Sequence, residues 1–269
     1  MVVRGRYAAV LPEQAYAMMA AETSRLLAEL PEERRNAVMS LSDAWNADAP
    51  TPAGISRTNG IPLGHGASHS GLFALTCRLN HACKPNARYV WREDLERELV
   101  FAMKPIKAGD EITVTYKETY APRAARRELL LKQFNFECRC DACEPASADA
   151  KNEHALQHSD APLAEVEDPG ASDERMREIQ QLIDEVPRVG YDQQRRALQM
   201  AERVLRLMEK EGVSTPVDKG TIHYDAYQMA RGAGDRGKAR QHLRAAWDCA
   251  KLSDGPDSPL AAKYEALMR

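Results

Sequence analysis

Three cysteines crowd into six residues, Cys138-Arg139-Cys140-Asp141-Ala142-Cys143, and a fourth, Cys83, stands far upstream in Asn80-His81-Ala82-Cys83-Lys84-Pro85-Asn86. Thiolates are favoured zinc ligands, and four of them fill its tetrahedral shell. Cys138, Cys140 and Cys143 lie close enough to wrap one ion but leave a position vacant. Cys83 is the best fourth ligand, because Cys77 and Cys249 lie within apolar strand-like or helical patterns. A metal held by four thiolates has no open position for water or substrate, so its role is structural. Between the two cysteine segments runs Gly109-Asp110-Glu111-Ile112-Thr113-Val114-Thr115-Tyr116, which reads as a strand ending in a tyrosine near the metal. A phenol there can accept or donate a hydrogen bond without bearing charge at neutral pH.

Each of these residues also has a plainer reading. The cysteines could be ordinary reduced thiols, although packing gives no reason for three within six residues. A lone histidine such as His81 is more often a satisfied structural residue. Tyr116 could be a core side chain sharing a strand face with Ile112 and Val114. Phe136 alone reads as core, and Asn59 before Gly60 as a turn residue.

The elements that must position these groups change character along the chain. Glu13 to Leu30 reads as an amphipathic helix, with Met19, Leu26, Leu27 and Leu30 at helical spacing. Pro31 opens a second short helix carrying Val38 and Leu41. Residues 47–71 are rich in Gly, Pro, Ser and Thr and read as loop with room for one short strand. From Ala87 the period becomes two: Tyr89 and Trp91, a turn near Glu93-Asp94, then Leu99, Phe101 and Met103, then Ile112, Val114 and Tyr116. This predicts a small antiparallel sheet. Pro122 then begins a helix reaching about Phe134.

Residues 145–174 hold eight acidic side chains against one lysine and read as a linker. Beyond them the chain is helical. Met176, Ile179, Leu182, Ile183 and Val186 mark one helix, and Ala197, Met200, Ala201, Val204, Leu205 and Met208 another. Gly234-Asp235, Ala239, Leu243 and Ala246 have spacing like part of a tetratricopeptide repeat.

Composition bounds the class. The 269 residues are 43% hydrophobic and 29% charged, which is ordinary for a globular protein of about two domains. A net charge of -3 gives no strong nucleic-acid signal. No apolar run is long enough to span a bilayer, and the first residues do not lead into a secretory signal. Six cysteines in such a chain favour reduced thiols and metal over disulfides, with nucleus or cytoplasm as the expected compartment.

Taken together, Asn80-His81-x-Cys83-x-Pro85-Asn86, the run Gly109 to Tyr116, and Phe136-Glu137-Cys138-x-Cys140-x-x-Cys143 resemble a SET-domain protein lysine methyltransferase with its post-SET zinc segment. Order and spacing are most similar to the branch of SET and MYND proteins. Thr58-Asn59-Gly60-Ile61 and Gly71-Leu72-Phe73 extend the resemblance, which covers about residues 52–144. It implies an α+β fold: a SET-like small β-sheet domain with a zinc-bound post-SET segment, followed by an all-α, tetratricopeptide-like helical domain. The expected division is a helical N-terminal segment (1–51), the SET and post-SET region (52–144), an acidic linker (145–174) and a helical domain (175–269).

The resemblance further implies S-adenosylmethionine as methyl donor, Zn2+ as structural metal and a protein substrate with an acceptor lysine. On matching positions, Asn80 and His81 would contact the cofactor, with Asn59 as a further contact. Phe136 would pack on the adenine, and Tyr116 would sit where donor and amine meet as an orienting group. Cys83, Cys138, Cys140 and Cys143 would hold the metal. The chain departs from the family pattern in three ways. It has no MYND finger, no N-terminal Gly-x-Gly cofactor segment (Gly64-His65-Gly66 reads as loop), and Ala82 where serine is usual. Two further readings are an inactive, N-terminally shortened SET-like module and a helical-repeat adaptor with protein partners.

Overall fold

The protein is described by a computed structural model over residues 2–4, 12–64, 67, 69–117, 120–144, 169–212 and 215–269. Two units share the chain by interleaving. Residues 1–80, 89–100 and 130–137 form one, and 81–88, 101–129 and 138–269 form the other.

The first unit opens with strand β1 (Val2–Arg4) and helices α1 (Pro12–Ala28) and α2 (Glu32–Met39). Both helices lie where apolar spacing predicts them. Pro31 caps α2, and Leu27, Val38 and Leu41 are buried in one apolar cluster.

Between residues 47 and 71 the structure departs from the loop expected there. Helix α3 (Pro52–Asn59) precedes strands β2 (Ile61–Pro62) and β3 (His69–Gly71). Thr51 starts the helix: its hydroxyl accepts from the Gly54 N–H at 3.0 Å, and Pro52 follows directly. Loop-like composition hid a segment whose Ala53, Gly54, Ile55 and Ser56 are all buried. Ile55 joins the cluster of Leu27, Val38, Leu41 and Leu72. Gly54 is required by a close approach, since a Cβ there would lie 1.9 Å from Asp43 Oδ2. Asp43 is itself buried and accepts from the backbone N–H groups of Trp45, Asn46 and Thr51 at 3.0–3.1 Å. Burial opposes its ionisation, but these donors outweigh burial and hold the carboxyl below its usual range.

Strand β3 lies between β1 and β2 and is antiparallel to both, with Ser70 facing Val3 on one side and Pro62 on the other. Next come β4 (Asn80–His81), β5 (Ala87–Arg92), β6 (Arg97–Ala102) and β7 (Thr113–Val114). Among the described residues the single small sheet expected is instead three small sheets, of strand order β1-β3-β2, β4-β7 and β5-β6. The third apolar run breaks early because only Val114 is buried, at 1% exposure, while Ile112 is 44% exposed. Tyr116 therefore follows β7 in a bend rather than continuing its strand face. The β5–β6 hairpin does match the period-two reading, with one 3-10 turn (Glu93–Leu95) closing it.

Helix α4 (Arg123–Phe134) leads to the cysteine cluster, as Pro122 suggests. Residues 145–168 of the acidic stretch lie outside the described residues, as do His65 and Gly66. The remaining chain is helical: α5 (Pro169–Glu185), α6 (Gln194–Glu211), α7 (Pro216–Gly232), α8 (Arg236–Ser253) and α9 (Pro259–Met268). Met176 and Ile179 of α5 pack with Val204, Leu207 and Met208 of α6. Ala226, Ala230, Ala239, Leu243, Ala246 and Tyr264 belong to a second core across α7, α8 and α9. Gly234, at φ 77°, turns the chain, and the Asp235 carboxylate accepts from Lys238 N–H to cap α8. No helix among the described residues is long and apolar enough to cross a membrane.

Candidate functional site

Sulfur geometry defines the site in the second unit. Cys83, Cys138, Cys140 and Cys143 bring their Sγ atoms within 4.8 Å of one another. Cys83 Sγ and Cys143 Sγ are 3.6 Å apart. A tetrahedral zinc with Zn–S bonds of about 2.3 Å sets its sulfurs about 3.8 Å apart, so the cluster fits that ion. A disulfide would need about 2.05 Å, and all four are free thiols. The turn that folds the cluster is closed by the Cys143 and Glu144 N–H groups, both donating to Cys140 O at 2.7 and 2.9 Å. The Cys83 N–H donates to Cys140 Sγ at 3.4 Å, tying the remote cysteine to the knuckle.

Proton distribution among the sulfurs is unequal. Hydrogen bonds from Cys143 and Cys83 push Cys140 far below an ordinary thiol. Cys83 is driven strongly upward, first by its hydrogen bonds to Cys140 and Cys143 and then by burial. Burial pushes Cys138 up to about 12. Four sulfurs this close cannot all ionise against one another, whereas a divalent cation displaces their protons.

Two supports of this cluster have no role assigned to them from sequence, although Asn86 belongs to the motif that carries the resemblance. Arg126 is 4% exposed; its Nη1 donates to Ala121 O at 2.6 Å and its Nη2 to Ala142 O at 3.1 Å, inside the knuckle. Its Nε is buried with no hydrogen-bond partner among the described residues. Burial works against its charge, but Cys83 and Cys143 outweigh burial and raise its pKa. Four thiolates around Zn2+ leave a net charge of -2, which a buried guanidinium counters. Its residue type did not mark it, since Arg123 and Arg127 stand beside it on α4. Asn86 is the other support. Its Oδ1 accepts from Thr113 N–H, its Nδ2 donates to Glu111 O, both at 2.8 Å, and its own carbonyl accepts from Met103 N–H at 2.9 Å.

His81 lies half-buried beside the sulfurs. Its Nδ1 accepts from the Tyr116 backbone N–H at 3.0 Å, and its Nε2 lies 3.4 Å from Cys83 Sγ. The His81 and Tyr116 rings are 5.3 Å apart between centroids, tilted by 53°. Burial lowers the His81 pKa to about 4; Cys140 opposes the shift and Arg126 adds to it. The imidazole is neutral at physiological pH. The four cysteines, His81 and Tyr116 are thus all in the second unit. Asn59, Asn80 and Phe136 belong to the first unit. There the Asn59 Nδ2 donates to Ser42 O at 2.7 Å and to Ile55 O at 2.8 Å, Asn80 is exposed, and Phe136 is half-buried.

Residues 14–117 match the model of the SET domain family. The chain carries a SET domain. The matched stretch runs from within α1 past Tyr116; Cys138, Cys140 and Cys143 follow it. The chain is similar to histone-lysine N-methyltransferase set5 of Schizosaccharomyces pombe, 38% identical over 73 residues, covering 27% of this chain and 23% of that protein. It is likewise similar to a SET and MYND domain-containing protein of Dictyostelium discoideum, at 40% over 73 residues, covering 27% and 21%. Mouse histone-lysine N-methyltransferase SMYD3 is 35% identical over 80 residues, covering 30% and 18%. The alignments span less than a quarter of the length of these curated relatives.

Proposed function

We propose that this protein is an S-adenosylmethionine-dependent protein lysine methyltransferase with a structural zinc. The observation that carries the reading is the adjacency of His81, Tyr116 and a four-cysteine cluster in a chain whose residues 14–117 match the SET domain family and whose relatives include proteins named histone-lysine methyltransferases.

The bound cofactor supplies an electrophilic methyl group on a sulfonium. The chain's task is to present a lysine amine to it as a neutral lone pair, although a free lysine titrates near about 10.4. In our reading the Tyr116 phenol orients that amine by hydrogen bonding without adding charge. Holding both reactants in near-attack geometry can remove several kcal/mol from the barrier. Asn59, Asn80, His81 and Phe136 form our cofactor-binding set. The residue types suit the ligand, with exposed or half-buried amides for its polar end and an aromatic ring for its base. Cys83, Cys138, Cys140 and Cys143 hold zinc, and Cys138 to Cys143 form the post-SET segment. We retain the division at residues 51 and 144, and note that α5 begins at Pro169, ahead of the boundary expected at 174. The helical region from 175 onward is read as a tetratricopeptide-like surface for protein partners. A protein lysine is the substrate, and nucleus or cytoplasm the setting.

Calorimetry with S-adenosylmethionine tests the proposal. Wild type binds, and Asn80→Ala weakens binding. Tyr116→Phe keeps binding while kcat on a lysine substrate falls by on the order of a hundredfold. Unchanged turnover in Tyr116→Phe removes that residue from the mechanism. A zinc-stabilised interaction module without activity is the second reading. It is favoured by the commitment of the Asn59 amide to Ser42 and Ile55 carbonyls, and it predicts no cofactor binding.

A further inference from the structure

A backbone N–H can only donate, so the Tyr116 amide at 3.0 Å requires a bare lone pair on His81 Nδ1. An imidazolium, or the Nδ1–H tautomer, would set two donors face to face. The ring proton therefore sits on Nε2, the nitrogen 3.4 Å from Cys83 Sγ. Sulfur is the acceptor there, and a metal-bound thiolate is a better acceptor than a thiol. The same ring also packs on the Tyr116 side chain at 5.3 Å.

We propose that His81 is a bridge, holding the backbone of Tyr116 through one ring nitrogen and hydrogen-bonding a metal-ligating sulfur through the other, so that metal loading positions Tyr116. His81 is thus a positioning residue acting through Tyr116. The inference rests on the zinc and methyl-transfer reading of this site and adds a direct link between its two parts. Metal bound to Cys83 strengthens the N–H···S bond and locks the tautomer, and the locked tautomer fixes where Tyr116 begins.

The bridge separates into halves by substitution. His81→Asn places an amide oxygen where Nδ1 was and keeps the tie to Tyr116, but does not reach the sulfur. His81→Gln reaches the sulfur with an amide N–H and loses the tie. Two spectra read the halves on the full chain. With Co2+ in place of zinc, the sulfur-to-cobalt charge-transfer band shifts to lower energy in His81→Asn and stays in place in His81→Gln. In selectively tyrosine-labelled protein, the Tyr116 amide resonance, assigned by its loss in Tyr116→Phe, moves upfield in His81→Gln and holds in His81→Asn. Chelating the metal shifts that resonance in wild type, and at least halves its response in both variants.

Wild type alone keeps the idea falsifiable if the variants fail to fold. Imidazole nitrogen spectra of the zinc-loaded chain show His81 as the Nε2–H tautomer at pH 7, and an Nδ1–H ring or an imidazolium overturns the bridge. A Tyr116 amide insensitive to metal also overturns it. Absence of any thiolate-to-cobalt band defeats the metal reading and the bridge together. Failure to bind S-adenosylmethionine with the tautomer and the couplings intact defeats only the methyl-transfer reading.

Discussion

Arg126 shows what single residues contribute here. Its two carbonyl partners hold the knuckle, and its charge faces sulfurs that become anionic around a metal. Purified protein is expected to carry one zinc per chain, and Cys140→Ser to carry none. Arg126→Met should still load one zinc but release it to a competing chelator about 10–100 times faster, the usual effect of losing a group that supports metal ligands. A chromogenic chelator assay checks both, and an unchanged release rate would show that Arg126 does not support the metal. The cysteines were legible in the sequence because metal chemistry admits few residue types at few spacings. Arg126 was not, because its partners are the carbonyls of Ala121 and Ala142, which every residue possesses and no residue type announces.

Helix α3 makes the corresponding point about elements. Apart from Ile55 its side chains are small or polar, and its stability comes from an N-cap, from the burial of that one side chain beside Leu72 and from contact with Asp43 rather than from an apolar stripe. Two substitutions separate those contributions. Thr51→Ala removes the cap and should cost about 1 kcal/mol. Gly54→Ala forces a methyl against the Asp43 carboxylate and should cost about 3 kcal/mol, the upper end of overpacking effects. Urea denaturation gives both values, and equal losses would contradict the close approach. Helices α1, α2, α5, α6 and α8 were legible because periodic apolar residues meet a core. Residues 47–71 were misread because the deciding interactions of α3 are with Asp43 and Leu72, which lie outside it in sequence. The third strand was over-read for a related reason: alternation of residue types cannot say which of Ile112 and Val114 is covered.

At the scale of the molecule, acid sensitivity has an identifiable source in the helical region. His223 Nδ1 lies 3.0 Å from His242 Nδ1, and His242 Nε2 lies 3.5 Å from Glu202, which also pairs with Lys238 at 2.7 Å. Burial, then His242 and Lys219, push the His223 pKa down to about 4. The unfolded chain takes up this proton near 6.5, before the folded chain does. Stability from neutral His223 is therefore complete above about 6.5 and is lost as pH falls from there to about 4. His223→Gln should flatten the dependence of the melting temperature on pH across that window; an unaltered slope would place the acid sensitivity elsewhere. That the chain interleaves its two units was not legible, because the segments 81–88 and 101–129 join the helical region through partners distant in sequence. The same remoteness gives the four-sulfur cluster a further effect. A metal clip between Cys83 and Cys138 closes a loop of about 55 residues, which in a simple chain-entropy estimate for a cross-link amounts to about 4 kcal/mol. Most of that influence falls on the denatured ensemble, whose freedom the clip removes, so a chelator would lower resistance to unfolding even where it left the native arrangement unaltered.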